Sequence, residues 1–152
     1  MKLTHALAAL AAWEAGWWLR RRTLRSITFD LAKAEAIRLG RPLVVIGAPD
    51  GGVTSGYGCG DVTVDIQASA CPVSIQADIT KRIPLPDDSA VVFVSCVLEY
   101  VGDYEAAMRE LCRVSGGHLH VVRVEPWTLT AFLYPGARRL VASTPGCAPA
   151  LP

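Results

Sequence analysis

Between residues 43 and 124, apolar runs of strand length alternate with turn signals, and this pattern predicts a sheet of parallel strands. The first run is 43–46, entered from Pro42 and left through Gly47-Ala48-Pro49-Asp50-Gly51-Gly52. The second is 62–66, with an acid near its end at Asp65, and the third lies around Ile75, before Gln76-Ala77-Asp78-Ile79. Residues 90–98 are almost continuously β-branched or apolar, as expected of a strand covered on both faces, and 118–124 make a fifth strand. Helical spacing appears at 104–114, where Asp103 is the predicted cap and Ser115-Gly116-Gly117 the stop. A second helix is predicted over 29–39: Thr28 caps it, Phe29, Ala32, Ala36 and Leu39 recur on one side, and Gly40 ends it. A short apolar helix is expected around 128–134.

The connections are shorter than this architecture normally uses. A parallel crossover needs a dozen or more residues and usually contains a helix. Between Gly51 and Asp65 lie only thirteen residues, including Gly52, Gly56, Gly58 and Gly60, and between Ile66 and Ile75 only eight. One face of the sheet is therefore expected to be short of helices. Either the preceding helical segments cover it, or another copy, a partner or a membrane does, because a bare parallel sheet exposes a large apolar surface. Self-association or a partner on that face is the expectation.

The amino-terminal residues 3–19 are apolar on every helical side apart from His5 and Glu14, and Trp13, Trp17 and Trp18 adjoin Arg20, Arg21, Arg22 and Arg25. Seventeen helical residues reach roughly 26 Å, a little less than a bilayer core of roughly 30 Å. Three readings stand open: a spanning anchor, an in-plane anchor, or a helix buried against a partner or the domain. Aromatic rings beside arginines suit a membrane boundary and place the rest of the chain on the cytoplasmic side, or in the cytoplasm if nothing inserts. The chain divides into 1–25 as a hydrophobic helix with its arginine cluster, 26–140 as one α/β domain, and 141–152 as a loose tail rich in proline.

Composition narrows the function classes. A net charge of +1 with 19% charged residues gives no broad electrostatic footprint for a nucleic acid. Cys59, Cys71, Cys96, Cys112 and Cys147 form no C-x-x-C pair, which reads as neither a zinc site nor a disulfide framework and favours a reducing compartment. His118 and His120 share one face of the fifth strand without an acid or cysteine at matching spacing, so they read as structural, with no metal site expected.

The order Gly47 turn, Asp65, Asp78-Ile79, Pro84-Leu85-Pro86-Asp87-Asp88-Ser89, the 90–98 strand and Met108-Arg109-Glu110-Leu111-Cys112-Arg113-Val114 resembles the class I S-adenosylmethionine-dependent methyltransferases, of the methyltransferase type 11 kind, over about half the chain. The resemblance implies a Rossmann-like sheet in the order 3-2-1-4-5. It implies S-adenosylmethionine as cofactor, with Gly47, Ala48 and Gly51 at its methionine portion, Asp65 on the ribose hydroxyls, and Asp78 and Ile79 beside the adenine. Ser95, with Cys96, Glu99 and Tyr100, is then expected to face the transferred methyl group. Asp65 and Asp78 also fit the plainer role of closing strand-end turns. Pro49 stands where the family's middle glycine belongs, Val45 where its first acid belongs, and the chain is too short for the family's last two strands. Two functions therefore follow: a membrane-associated methyltransferase acting on a hydrophobic acceptor, or a non-catalytic descendant whose sheet serves as an assembly scaffold.

Overall fold

A single helix, α1 (Leu3–Leu39), precedes β1 (Leu43–Ile46), β2 (Val62–Asp65), β3 (Ser74–Gln76), β4 (Val91–Ser95), a 3-10 turn at Leu98–Tyr100, α2 (Tyr104–Ser115), β5 (Leu119–Val122) and α3 (Leu129–Leu133). This computed structural model describes residues 3–49, 55–124, 128–133 and 147. All five strands are parallel, in the order β3-β2-β1-β4-β5. The fold is thus α/β and Rossmann-like, with the expected strand order.

Strand alternation divides the core into two layers. Val44, Ile46, Val92 and Val94 point to the face where Ala107, Met108, Leu111 and Val114 of α2 pack. Leu43, Val45, Val91 and Phe93 point to the other face, where Ala32 and Ala36 of α1 are buried against them. The central strands β1 and β4 are buried at every residue, which explains why their sequences read as unbroken apolar runs. Asp103 caps α2 by accepting from the Ala106 amide at 2.9 Å, and Gly116 closes it in the left-handed region at φ 57°. Arg113 on α2 binds Glu110 and Asp87 and donates to the carbonyls of Leu85 and Ile83, so it ties the turn before β4 to the helix.

Three expectations are corrected. The helix of 29–39 does not begin at Thr28, because α1 is continuous from Leu3 to Leu39. Residues 20–28 contain neither proline nor glycine, so nothing local interrupts the backbone ladder between the two predicted helices. No helix among the described residues is long and apolar enough to cross a membrane, and the spanning anchor falls with that finding. Thr4, His5, Glu14 and Gly16 dilute the run, and the arginines follow immediately. The cysteines were expected to be unpaired, yet Cys59 is bonded to Cys71 and Cys112 to Cys147. Separations of 12 and 35 residues carry no pairing signal; only the fold brings these sulfurs together. Disulfides persist in oxidising compartments, contrary to the reducing one expected from the spacing. Of the tail 141–152, Cys147 is described and the rest lies outside the described residues.

Among the described residues, no helix lies in the β1–β2 or β2–β3 connection. The carboxyl-terminal part of α1 covers β1, β4 and β5 on that face instead, so one of the alternatives for its cover is realised within the chain. His118 Nδ1 and His120 Nε2 both meet the Glu35 carboxylate, at 3.0 and 2.6 Å, which latches α1 to β5 and gives the two histidines their structural role.

Candidate functional site

The carboxyl ends of β1, β2 and β3 and the turn after β4 enclose a cleft of about 410 Å³. It lies where the strand order reverses, between β1, which leads to β2, and β4, on its other side. The volume is within the usual range for small-molecule sites, roughly 300–1,000 Å³. Its walls are mainly apolar, from Ile46, Val64, Ile79, Val97 and Val101, with Asp65, Asp78 and Asp103 as acidic groups.

Each polar wall is positioned by local chemistry. Gly47 leaves β1 with φ 84°, and its amide donates to the Val64 carbonyl at 2.8 Å, which carries the β1–β2 ladder one residue past Ile46. A Cβ there would come within 2.5 Å of Val97 Cγ2, so only glycine lets the two strand ends approach this closely. Asp65 Oδ2 accepts from the Ala48 amide at 2.6 Å and Oδ1 from the Gln67 amide at 2.8 Å. The carboxylate is thereby held at the end of β2 while each oxygen retains a lone pair for a ligand. Asp78 Oδ1 accepts from the Thr80 amide at 2.9 Å and from its hydroxyl at 2.7 Å, and Lys81 Nζ lies 3.8 Å from Oδ2. The Thr80 hydrogen bonds hold this carboxyl below its ordinary value, so it is an acceptor in neutral solution.

Five residues anticipated from the sequence, Gly47, Asp65, Asp78, Ile79 and Tyr100, line this one cleft. Ala48 stands beside it with its amide already given to Asp65. Gly51 lies outside the described residues. Ser95 is buried but does not line the cleft; along β4 it alternates with Val94 and shares the side of Val91 and Phe93, toward α1. The plainer roles of Asp65 and Asp78 are realised at the same time, since both carboxylates close turns within their own strand ends. Sequence reasoning missed Val97, Val101, Gly102 and Thr80 as wall residues. Their position after the carboxyl ends of parallel strands was the available signal, because that edge is where such sheets form crevices.

Tyr57, which stands in the glycine-rich β1–β2 loop, turns away from the cleft. Its ring packs on Phe93 and Phe29, with centroids 5.2 and 6.3 Å away, and fills the layer beneath α1. Cys96 and Glu99 also fall outside the cleft walls, while Tyr100 lines them. Cys96 ends β4 at φ 52° and packs against Val124 and Ala131. Burial pushes its thiol up despite the nearby Arg25, which keeps it protonated and a poor nucleophile. Glu99 is buried, accepts from the Val124 amide at 2.6 Å, and is likewise pushed up by burial.

Comparison with protein-family models, curated proteins and solved structures finds no match.

Proposed function

We propose that the cleft binds the nucleoside of S-adenosylmethionine and that the protein is a methyltransferase-like enzyme acting on a hydrophobic acceptor. The observation that carries this reading is the convergence of Gly47, Asp65, Asp78 and Ile79 on one cleft at the switch point of a 3-2-1-4-5 sheet. Asp65, braced by two backbone amides, is suited to accept from a pair of vicinal hydroxyls. Asp78, a carboxylate beside the apolar Ile79 wall, is suited to accept from an exocyclic amine while the wall covers a flat base. When bound, the cofactor supplies an activated methyl group on a sulfonium centre, and transfer to an acceptor depends mainly on in-line positioning. The apolar walls around Val97, Tyr100 and Val101 favour a non-polar acceptor over a charged one.

A second reading is a non-catalytic scaffold that keeps the sheet for assembly. It is favoured by the retreat of Ser95, Cys96 and Glu99 from the cleft, and by the Gly47 and Ala48 amides, which are both already bonded within the protein. Calorimetric titration of the full chain with S-adenosylmethionine and S-adenosylhomocysteine tests the proposal. Saturable binding by the wild type and at least tenfold weaker binding by Asp65→Ala are expected. Absence of binding to a folded wild-type sample sinks the cofactor reading and leaves the scaffold.

A further inference from the structure

A cleft at the carboxyl edge of a parallel sheet can receive a negatively charged ligand in three ways: on free amides of the turn after β1, at the amino terminus of a helix, or on a basic side chain. Among the described residues, all three are closed here. The Gly47 amide is given to the Val64 carbonyl and the Ala48 amide to Asp65, and Pro49 has no amide to give. The amino terminus of α2 reaches the cleft through Gly102 and Asp103, but the Asp103 carboxylate already caps it at the Ala106 amide, and Glu105 adds a second acid in the first turn. No described lysine, arginine or histidine stands among the walls, whereas Asp65, Asp78 and Asp103 do. Lys81 lies 3.8 Å from Asp78 Oδ2 with its side chain 79% exposed, outside the walls. In sequence, residues 49–54 contribute one further acid, Asp50, and no base. Acids of one sign between apolar walls such as Ile79, Val97 and Val101 concentrate their field in the cleft, where water screens them less than on an open surface.

We propose that this cleft selects its nucleoside by charge, taking adenosines whose 5′ substituent is cationic and refusing those that carry a phosphate there. The inference rests on the nucleoside reading and adds a selection rule to it. With the ribose on Asp65, the 5′ substituent lies in the field of Asp65 and Asp103 and beside a turn whose amides are spent. A sulfonium or ammonium is attracted there. A phosphate would bring about −1.5 to −2 charges to walls that offer no cation and a turn that offers no donor through Pro49. The same rule divides S-adenosylmethionine itself: its sulfonium is favoured and its carboxylate is not. The decarboxylated analogue is therefore expected to bind more tightly than the parent, and S-adenosylhomocysteine, which lacks the sulfonium charge, more weakly.

Calorimetric titration of the full chain with four nucleosides tests this: adenosine, 5′-amino-5′-deoxyadenosine, 5′-deoxy-5′-methylthioadenosine and adenosine 5′-monophosphate. The ammonium compound is expected to bind about tenfold more tightly than adenosine, and the monophosphate at least about tenfold more weakly than the methylthio compound, its neutral control for bulk. Both gaps are expected to shrink several-fold in about 0.5 M sodium chloride. Asp103→Asn removes one acid but keeps an oxygen that can cap α2, so it is expected to narrow the gaps with helix content retained by circular dichroism. A monophosphate that binds as tightly as the methylthio compound overturns the charge rule and leaves the nucleoside reading standing. Gaps that neither salt nor Asp103→Asn narrows do the same. If a folded wild type binds none of the four, the nucleoside reading and the charge rule fall together.

Discussion

At the scale of single residues, the site depends on Gly47 more than on any charged group. Its positive φ excludes ordinary side chains at a cost of roughly 1–2 kcal/mol, and an added methyl would also displace Val97 from the cleft wall. Gly47→Ala is therefore expected to destabilise the protein by about 1–3 kcal/mol, read as a lower Tm. Gly102→Ala is the control, since open space surrounds its Cβ position. Equal behaviour of the two variants would show that the β1 turn carries no such constraint. The same scale shows how legible the site was. Asp65 and Asp78 were readable because an acid at the end of a buried apolar run is conspicuous. The orientation of Ser95 was not, because the predicted strand of 90–98 ran beyond the real end at Ser95, and Cys96 leaves the extended region there.

Among the elements, β1, β2 and α2 were legible to within a residue, because each is bounded by proline, glycine or a capping acid that acts locally. The continuity of α1 was not, since Thr28 reads equally well as a cap or as a helix interior until the preceding turn is known to be helical. The loops depend on covalent closure as well. Cys59–Cys71 ties the β1–β2 loop to the β2–β3 loop, where no helix of the described residues provides packing. Its separation of 12 residues corresponds to a stabilisation of about 3 kcal/mol from loop closure. A Cys59→Ala, Cys71→Ala double variant is expected to lose about that amount in denaturant unfolding. An unchanged midpoint would mean that the loops hold their places without the bond.

For the whole molecule, pH acts through two opposed sets of carboxyls. Glu35, Asp78, Asp88 and Glu110 are held below their ordinary values, chiefly by hydrogen bonds to His120, Thr80, Arg41 and Arg113 respectively. Their contribution to stability is complete above the ordinary carboxylate range and is lost as pH falls through their lowered values. Glu99 works in the opposite sense, because burial raises it and disfavours its charged form as pH rises past the ordinary range. Glu99→Gln is thus expected to raise Tm at neutral pH, with the gain fading below pH of about 4. A lower Tm at neutral pH would instead mean that Arg21 and Arg123 make the buried charge net favourable. Local patterning along the chain was enough to specify the strands and the acids at their ends, because apolar runs, caps and turn residues act over a few positions, whereas the order 3-2-1-4-5 was an implication of the resemblance that the structure bears out. The disulfide pairs, the unbroken α1, the aspect of Ser95 and the meeting of Gly47, Asp65 and Asp78 around one cleft were settled only by tertiary structure. They depend on distances between residues remote in sequence, and on strand ends that long-range packing sets.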